Sequence, residues 1–414
     1  MVSKVVGRPT NSTVGRWLSI VGIGEAGIDG LSPLARRLIA DAELVVGGRR
    51  HLDLAKQIIG GEQLAWPSPI GGAFPEILRH RGRAVTVLAT GDPFHFGIGK
   101  QLAAIVGPDE LVCVPEASAF SLAGARLGWA LQDVSLLSLH GRALERVIRD
   151  LQPGVRILAL SWDGETPQKL GALLVARGFG ASRLWVLECL GGPRERVRSC
   201  IASEIGFDDI DPLNTIAVEV VADRDATIIP LNAGLDDRFF ESDGQLTKRE
   251  IRSVVLSALA PRCGELLWDV GLGAGSIAIE WLLRHSSLKA IGIEEDAGRA
   301  LRAARNAAAL GAADLNIVTG RAPEALAGLP PPDAVFIGGG LGDGVLEVAR
   351  TALRPGGRLV ANAVTLEGEQ VLAAAFKRYG GELIRMQVSR VDKVGRLHGW
   401  RSAMPVTHWR MTKP

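Results

Sequence analysis

The sequence has few aromatic residues and almost no net charge. Only 5% of its 414 residues are aromatic, Tyr379 is its single tyrosine, and its formal net charge at pH 7 is +2. Proteins that bind nucleic acids usually carry a basic surface, and those that bind single strands add aromatic side chains on which bases stack. We therefore predict a small-molecule partner rather than a nucleic acid.

Cysteine and histidine are scarce and scattered. The cysteines lie far apart without a Cys-x-x-Cys pair, and the seven histidines lack the spacing of metal ligands. The four cysteines are Cys113, Cys189, Cys200 and Cys263. This pattern argues against a disulfide framework or a structural zinc site, and it predicts reduced thiols in a cytoplasmic protein without a bound metal.

Long apolar runs are absent as well. No stretch approaches the roughly 18 apolar residues needed to cross a bilayer, and residues 1–15 lack the apolar centre of a signal peptide. We predict no membrane segment, and a flexible N-terminus over residues 1–16.

The sequence does contain an α/β pattern, in two parts. Apolar strands alternate with helical patterns, such as Pro33–Asp41 and Pro167–Arg177, over residues 17–222, and a similar alternation fills residues 244–414. The polar residues 223–243 are predicted to connect the two domains. The predicted strands are Leu18–Val21, Ala84–Ala89, Leu111–Val114, Val155–Leu160, Leu184–Glu188 and Thr215–Val221 in the first part, and Leu266–Val270, Ala290–Ile293, Leu315–Val318, Ala334–Ile337 and Arg358–Ala361 in the second. Thr247 and Glu250 have the spacing of a capping box, which predicts a helix start at Thr247.

A glycine-rich turn follows the first predicted strand of the second part. Gly271, Gly273 and Gly275 come after Asp269, and their Gly-x-Gly-x-Gly spacing differs from the dinucleotide fingerprint. Glu294 ends the next strand, where a carboxylate can accept hydrogen bonds from the hydroxyls of a ribose. Each feature alone is compatible with a structural turn or a solvated acid. Together they are typical of Rossmann-like (class I) methyltransferases.

Further motifs make this part resemble the decarboxylating precorrin methyltransferases of cobalamin biosynthesis. The motifs are Leu246-Thr-Lys-Arg-Glu250, the glycine turn, Gly320-Arg-Ala-Pro-Glu-Ala325, Phe336-Ile-Gly-Gly-Gly340 and Leu353-Arg-Pro-Gly-Gly357. The resemblance implies that S-adenosyl-L-methionine is bound by Thr247, Gly271, Leu272, Gly273, Ala274, Gly275, Glu294 and Ala322. Two positions depart from the family pattern: Leu272 stands where many relatives carry cysteine or alanine, and Arg321 replaces a frequent aspartate.

The first part opens with a pattern that has two interpretations. Gly22, Gly24 and Gly27 satisfy Gly-x-Gly-x-x-Gly after a strand, which is the fingerprint of NAD or FAD binding. However, the next apolar strand, Leu44–Gly47, ends in glycine instead of the expected acid, and Pro33 follows the turn closely. These departures weaken the dinucleotide interpretation.

A second loop favours the other interpretation. Gly91-Asp-Pro93 directly follows a predicted strand, and such a turn leaves backbone groups pointing into a cleft. With the early glycines, Val114-Pro-Glu-Ala-Ser-Ala-Phe120 and Leu136-Leu-Ser-Leu-His-Gly-Arg142, this order resembles the tetrapyrrole methyltransferases (class III). The resemblance implies a second S-adenosyl-L-methionine site, lined by Gly22, Gly24, Gly91, Asp92, Pro93, Ser118 and Ala119.

Basic residues near these motifs are candidates for substrate binding. The segments Val46-Gly-Gly-Arg-Arg-His-Leu52, Ser138–Arg142 and Asp163-Gly-Glu-Thr-Pro167 resemble the precorrin branch that methylates carbon 5. A guanidinium matches the geometry of a carboxylate, so basic residues here suit propionate and acetate groups. The predicted substrate-binding residues are Arg49, Arg50, His140 and Arg142. For each of them, a surface charge or a helix cap is the alternative.

The tandem order resembles the fused, decarboxylating precorrin C5,15-methyltransferases. The resemblance implies a tetrapyrrole-methylase α/β domain over residues 17–222 that methylates C5. It also implies a Rossmann-like domain over residues 244–414 that methylates C15 and decarboxylates the ring C acetate, converting precorrin-6B to precorrin-8. One S-adenosyl-L-methionine per domain and a homo-oligomer are implied as well. A methyltransferase for another substrate and a non-catalytic binding protein are the alternatives. No proton donor is predicted; Glu280, Asp343 and His398 qualify by residue type only.

Overall fold

The computed structural model describes residues 15–414, so nearly all of the predicted flexible N-terminus lies outside the described residues. The chain forms two compact units. The first comprises the described residues up to Arg142 together with Pro153–Thr227, and the second comprises Ala143–Gln152 together with Ile228–Pro414. No helix within residues 15–414 is both long enough and apolar enough to span a membrane.

The first unit contains two five-stranded sheets. Its strands are β1 (Leu18–Ile23), β2 (Leu44–Gly47), β3 (Glu62–Ala65), β4 (Val85–Thr90), β5 (Leu111–Val114), β6 (Val134–Ser138), β7 (Arg156–Leu160), β8 (Arg183–Glu188), β9 (Arg196–Ile201) and β10 (Asn214–Glu219). Its α-helices are α1 (Pro33–Ala40), α2 (Arg49–Ala55), α3 (Phe74–Arg79), α4 (Gly99–Ile105), α5 (Ala119–Leu127) and α6 (Thr166–Ala176).

The first sheet has the order β3-β2-β4-β1-β5, and all its pairings are parallel. Both of its faces are buried: Leu18 and Ile20 pack into one apolar cluster, and Val21 and Ile23 into another. Strand β4 separates β1 from β2, whereas these strands are neighbours in dinucleotide-binding folds. The dinucleotide interpretation of the first glycine loop is therefore wrong. The second sheet has the order β6-β7-β10-β8-β9.

The second unit is built on one seven-stranded sheet of order β13-β12-β11-β14-β15-β19-β16. Its strands are β11 (Leu266–Val270), β12 (Lys289–Glu294), β13 (Asn316–Thr319), β14 (Ala334–Ile337), β15 (Arg358–Ala363), β16 (Glu382–Met386), β17 (Ser389–Val394), β18 (Leu397–Ser402) and β19 (Val406–Thr412). Its helices are α7 (Arg249–Leu259), α8 (Ser276–Arg284), α9 (Ala297–Ala309), α10 (Asp343–Ala352) and α11 (Leu366–Tyr379). Strands β17 and β18 form a separate hairpin.

The strand order of this sheet predicts where a ligand binds. The chain runs outward from β11 to β12 and β13 on one side, and from β14 to β15 on the other. Ligands of open α/β sheets bind beyond the carboxyl ends of the strands at such a reversal. The glycine loop follows β11 and therefore lies at this position.

Two details differ from the sequence prediction. Helix α7 begins at Arg249 after Lys248, which makes no side-chain cap, so the predicted capping box at Thr247 is wrong. The Thr247 carbonyl instead accepts a hydrogen bond from the Arg252 guanidinium. The predicted connection, residues 223–243, is divided at Thr227 between the two units, and Leu235 within it is buried in the second.

Candidate active sites

The glycine loop of the second unit turns tightly between β11 and α8. Gly271 (φ +74°) and Gly273 (φ +57°) lie in the left-handed region that favours glycine. A β-carbon on Gly271 would lie 2.5 Å from Gly339 Cα, so the loops after β11 and β14 meet backbone to backbone. By contrast, a β-carbon on Gly273 would have the Gly271 oxygen as its nearest neighbour, at 4.0 Å. The loop therefore leaves open space above Gly273.

Glu294 ends β12 directly beside this loop. Its Oε2 accepts a hydrogen bond from the Gly273 amide (2.7 Å), and its Oε1 accepts one from the Asp296 amide (3.1 Å). The side chain is largely buried but lines a cavity. Because a carboxylate oxygen has two lone pairs, Glu294 can hold the loop and still accept hydrogen bonds from a ligand. This arrangement suits the hydroxyls of a ribose.

Asp269 lies behind the loop and is almost completely buried. Its Oδ2 accepts a hydrogen bond from the Ala278 amide at 2.9 Å, which ties β11 to the start of α8. Burial, together with the nearby charge of Glu294, raises the pKa of Asp269 to about 8, although the amide hydrogen bond opposes this shift. Asp269 is therefore largely protonated at neutral pH.

Leu272 and Gly275 have packing roles in the loop. A β-carbon on Gly292 would lie 2.5 Å from Leu272 Cδ1, so the leucine side chain occupies the space that this glycine leaves free on β12. Gly275 caps α8, and a β-carbon on it would lie 3.2 Å from Ala303 Cβ on α9. Gly275 therefore faces α9 and is not among the residues that line the cavity.

The cavity beside the loop has a volume of about 1080 Å³. Every predicted cofactor-binding residue of this unit except Gly275 lines it: Thr247, Gly271, Leu272, Gly273, Ala274, Glu294 and Ala322. Open space over the glycines, a carboxylate with free acceptor capacity and a cavity this large fit an adenosine-containing cofactor with room for a substrate. Arg321 also lines the cavity and is exposed.

The cavity also contains residues that were not predicted. Asn362, on β15, lines it, and Asn362 Oδ1 lies 2.8 Å from Nδ1 of the buried His408 on β19. Burial, and next the charge of Arg410, lower the pKa of His408 to about 4, so this histidine is neutral at pH 7. A polar residue near the end of a buried strand was the available signal for Asn362. Met386, Arg390 and Met404, around the β17–β18 hairpin, line the far side.

Of the residues that qualify as proton donors by type, Glu280 and His398 do not line this cavity. Glu280 is fully buried, pairs with Arg252 (Oε1 to Nε, 2.8 Å), and accepts hydrogen bonds from the amides of Gly234 and Leu235. His398 lies exposed on β18 and does not line the cavity. The side chain of Asp343 is outside the described part of the structure.

In the first unit, three loops converge at the carboxyl ends of β1, β4 and β5. A β-carbon on Gly22 would lie 1.9 Å from the Gly91 oxygen, so only glycine fits at position 22. The Glu116 amide donates a hydrogen bond to that same oxygen (3.1 Å). Gly24 is less crowded, since the nearest atom to a β-carbon there is Glu116 Cγ at 4.0 Å. The loops thus form a backbone cradle that opens at Gly24.

The remaining predicted cofactor residues shape this cradle. Asp92 Oδ1 accepts a hydrogen bond from the Phe94 amide (2.8 Å), and Pro93 O accepts one from the Gly99 amide (2.8 Å). Ser118 caps α5 through the Ser121 amide, and Ala119 is the first residue of that helix. The structure therefore places all seven predicted residues of this unit at one edge of the first sheet.

The predicted substrate-binding residues fall into two groups. Arg50 pairs with Glu25 and donates a hydrogen bond to Thr90 Oγ1 (3.0 Å), so the structure already satisfies this guanidinium. His51 Nε2 lies 2.8 Å from the same hydroxyl, and burial lowers the pKa of His51 to about 4. Arg49 is exposed at the start of α2.

His140 and Arg142 form the second group, on the loop after β6. The Arg142 guanidinium lies 5.5 Å above the centre of the Phe96 ring, next to the Gly91–Pro93 loop. Arg142 and Arg50 thus both contact residues that flank the cradle, Arg142 through the Phe96 ring and Arg50 through the Thr90 hydroxyl. Within residues 15–414, no cluster of three or more His, Cys, Asp and Glu side chains could hold a metal ion.

Comparison with known families gives the class of protein. Residues 18–206 match the family described as tetrapyrrole (corrin/porphyrin) methylases, and residues 238–413 match the family described as precorrin methyltransferase domain. The two units are therefore two methyltransferase domains in tandem.

Relatives of full length define the family more closely. The precorrin-6Y C(5,15)-methyltransferase [decarboxylating] of Sinorhizobium sp is 53% identical over 401 residues, which is 97% of each chain. The protein of the same name from Mycobacterium tuberculosis is 40% identical over 95% of this chain and 99% of its own. The crystal structure of the C-terminal domain of precorrin-6Y C5,15-methyltransferase from Rhodobacter capsulatus is 41% identical, covering 45% of this chain and 100% of its own, with a TM-score of 0.43. This chain belongs to the precorrin-6Y C5,15-methyltransferase (decarboxylating) family.

Proposed function

We propose that this protein methylates precorrin-6B (precorrin-6Y) at C5 and C15 and decarboxylates its ring C acetate, giving precorrin-8 in cobalamin biosynthesis. The observation that carries the proposal is the presence of two separate glycine cradles, one per methyltransferase domain, in a chain that matches its relatives over nearly their full length. Each cradle binds one S-adenosyl-L-methionine. C5 methylation belongs to the first domain, and C15 methylation and decarboxylation belong to the second.

S-adenosyl-L-methionine supplies a methyl group on a positively charged sulfur, so the protein contributes mainly position and a dry environment. In the second domain, Glu294 orients the ribose while the Gly271–Gly273 backbone allows close approach. Phe336, Met386 and Met404 contribute apolar side chains to the cavity lining. In the first domain, the contact between Gly22 and Gly91 fixes the two loops that hold the cofactor.

The proposal is tested by incubating the intact protein with S-adenosyl-L-methionine and precorrin-6B and following product mass. We expect a gain of two methyl groups and the loss of carbon dioxide. Gly273→Arg fills the open space of the second cradle and should abolish decarboxylation and C15 methylation. Gly24→Arg fills the mouth of the first cradle and should leave decarboxylation intact while preventing C5 methylation.

Matched controls separate blockage from misfolding. Gly264→Arg introduces the same side chain at another glycine with positive φ (+84°) and open surroundings, and Gly107→Arg does so at an uncrowded glycine of the first unit. Both should retain both reactions. If neither methylation nor decarboxylation occurs with wild-type protein that binds the cofactor, the substrate assignment is wrong and another methyl acceptor must be sought.

Two further parts of the proposal rest on family resemblance. We place the reaction in the cytoplasm, and we expect the chain to form a homo-oligomer. Light scattering of the purified protein measures its mass in solution, and a mass of one chain, 43.9 kDa, would contradict self-association.

A further inference from the structure

The side of the second unit's cavity that is formed by β15, β16 and β19 is mainly apolar. Val364 follows β15, Met386 ends β16 and Val406 begins β19, and all three line the cavity. Asn362 lies among them as a polar side chain, one residue before the end of β15. An amide in an apolar wall loses hydrogen bonds to water and needs other partners. The partners of this amide therefore indicate its role.

His408 orients the Asn362 amide. The two residues are register partners on β15 and β19, and Nδ1 of His408 lies 2.8 Å from Oδ1 of Asn362. Because an amide oxygen can only accept a hydrogen bond, the histidine nitrogen is the donor. His408 is only 1% exposed, which leaves its ring little freedom to turn away. The amide is therefore held with Oδ1 towards β19 and with Nδ2 directed away from His408.

The Nδ2 group of Asn362 is a donor available to a ligand. Asn362 is half-buried and lines the cavity. Its hydrogen bond to His408 uses Oδ1, and Nδ2 makes no hydrogen bond within the described part of the chain. An amide nitrogen carries two hydrogens and does not accept. This point of the apolar wall therefore suits an oxygen atom of a ligand, above all a carboxylate oxygen.

The strand order separates this donor from the ribose side of the cavity. Glu294 ends β12, and strands β11 and β14 lie between β12 and β15. Neighbouring strands are about 4.8 Å apart, so Asn362 lies about 14 Å from Glu294 across the sheet. Arg390, on the hairpin beside this wall, already pairs with Glu250 (2.5 Å). With the cofactor ribose at Glu294, Asn362 therefore faces the part of the cavity that is left for the methyl acceptor.

We propose that Asn362 binds the carboxylate of the acetate group that leaves as carbon dioxide, and that His408 is a positioning residue for Asn362. The bond between the methylene and carboxyl carbons breaks, and its electron pair passes into the conjugated macrocycle. Carbon dioxide leaves, and the methylene carbon takes a proton from water, which leaves hydroxide. This inference rests on the proposed function and adds the residues that carry the decarboxylation.

The chemistry of the wall suits this step. A neutral amide holds a carboxylate in place without compensating its charge as a guanidinium would. The apolar side chains around Asn362 favour an uncharged product over a carboxylate. The carboxylate is thus oriented by one hydrogen bond in surroundings that favour its loss.

The test compares two rates in the intact protein with S-adenosyl-L-methionine and precorrin-6B labelled in the ring C acetate carboxyl: release of labelled carbon dioxide and C15 methylation. Asn362→Leu removes the donor, and Asn362→Asp has nearly the same size but only accepts when ionised. Each should lower carbon dioxide release relative to C15 methylation about 10- to 100-fold, in keeping with the loss of a hydrogen bond to a charged group. S-adenosylhomocysteine should bind with unchanged affinity, which reports on folding. If Asn362→Leu fails to fold, Asn362→Asp still provides the test.

Variants of His408 test its positioning role. His408→Leu should lower the same ratio of rates, because the amide loses its fixed orientation. His408→Asn retains a donor near the position of Nδ1 and should restore much of the ratio. Adding His408→Leu to Asn362→Leu should cause no further loss, since His408 acts through Asn362. Independent losses that add together would show that His408 has only a structural role.

A matched control is available in the same sheet. Asn316 is exposed at the start of β13 and does not line the cavity. Asn316→Leu makes the same replacement and should leave both rates unchanged.

The outcomes separate this inference from the proposed function. If carbon dioxide release keeps pace with C15 methylation in Asn362→Leu and Asn362→Asp, or if both reactions fall equally, the role of Asn362 is overturned and the reaction assignment stays intact. If the wild-type protein releases no carbon dioxide from precorrin-6B, the proposed function itself is wrong.

Discussion

Single residues in both cradles have environments that define their chemistry. Gly22 tolerates no β-carbon because of the Gly91 oxygen, whereas Gly24 and Gly273 face open space. Glycines of the same motif thus differ in purpose: some permit two backbones to approach, and others leave room for a ligand. Asp269 and Glu294 both line the cavity but hold different backbone groups: the Asp269 carboxylate accepts a hydrogen bond from an amide of α8, and the Glu294 carboxylate accepts one from the Gly273 amide of the glycine loop.

The raised pKa of Asp269 predicts a pH dependence of stability. The folded-state pKa is about 8, against an ordinary value of 3.8. Between these values the folded chain holds a proton that the unfolded chain has released, so the free energy of unfolding falls as pH rises, by up to about 1.4 kcal/mol per pH unit. The Asp269→Asn variant lacks this titrating group, so it lacks this pH-dependent contribution to the free energy of unfolding.

The measurement is the thermal unfolding midpoint of the intact wild-type and Asp269→Asn proteins between pH 5 and pH 8. The midpoint of the variant minus that of the wild type should increase with pH, because other titrating groups are common to both. A difference that does not vary with pH would show that Asp269 is ionised throughout.

At the scale of elements, a buried ion pair joins α7 to α8. Arg252 and Glu280 are fully buried, and Arg252 also bonds Asp237 Oδ1 (2.8 Å) and the carbonyls of Leu235 and Thr247. This network holds Thr247 at the cavity. Arg252 lies two residues beyond the Leu246–Glu250 motif, and its guanidinium binds the carbonyl of the motif residue Thr247.

Removing one partner of this pair should destabilise the second unit strongly. Arg252→Met leaves the Glu280 charge buried and unpaired, which typically costs about 3–5 kcal/mol. Arg252→Met combined with Glu280→Leu should cost less than the two single changes added together, as measured by chemical unfolding. As a control, Arg305→Met breaks the exposed pair with Glu241 and should barely change the unfolding midpoint. Additive losses for the buried pair would contradict this interpretation.

The elements that the sequence predicted share a physical property. Strands β5, β11 and β14 match the predicted bounds, and they are apolar strands followed by turn residues. Strand β9 was missed because Arg196 and Arg198 interrupt its pattern; both pair with the buried Glu188 on β8. Strands β17 and β18 were missed because most of their residues are exposed. Neither strand has a buried face that would require apolar residues at every second position.

The same limit applies to the sites. The residues of both cradles were predicted from short motifs that resemble known methyltransferase families, because the conformation of such loops depends on residues that are close together in sequence. The contact of Asn362 with His408 joins residues 46 positions apart, and the contact of Arg142 with Phe96 joins different sheets. Such pairs depend on the tertiary fold, which the local sequence pattern does not contain.

At the scale of the whole molecule, two domains with different sheets carry two cradles. We therefore expect the intact chain to bind two molecules of S-adenosylhomocysteine by calorimetry. Gly273→Arg and Gly24→Arg should each reduce the stoichiometry to one, because each fills one cradle only. A single site in the wild-type chain would contradict the assignment of one cofactor per domain.

The unlike strand orders of the two units have a consequence for inhibition. In the first unit the cradle joins the loops of β1, β4 and β5, and in the second it joins those of β11, β12 and β14. If both bind the same cofactor, they enclose it with different walls. An analogue bearing a bulky substituent can then be shaped to enter one cradle and clash with the other. Such a compound would stop one methylation and let the partly modified macrocycle accumulate for isolation.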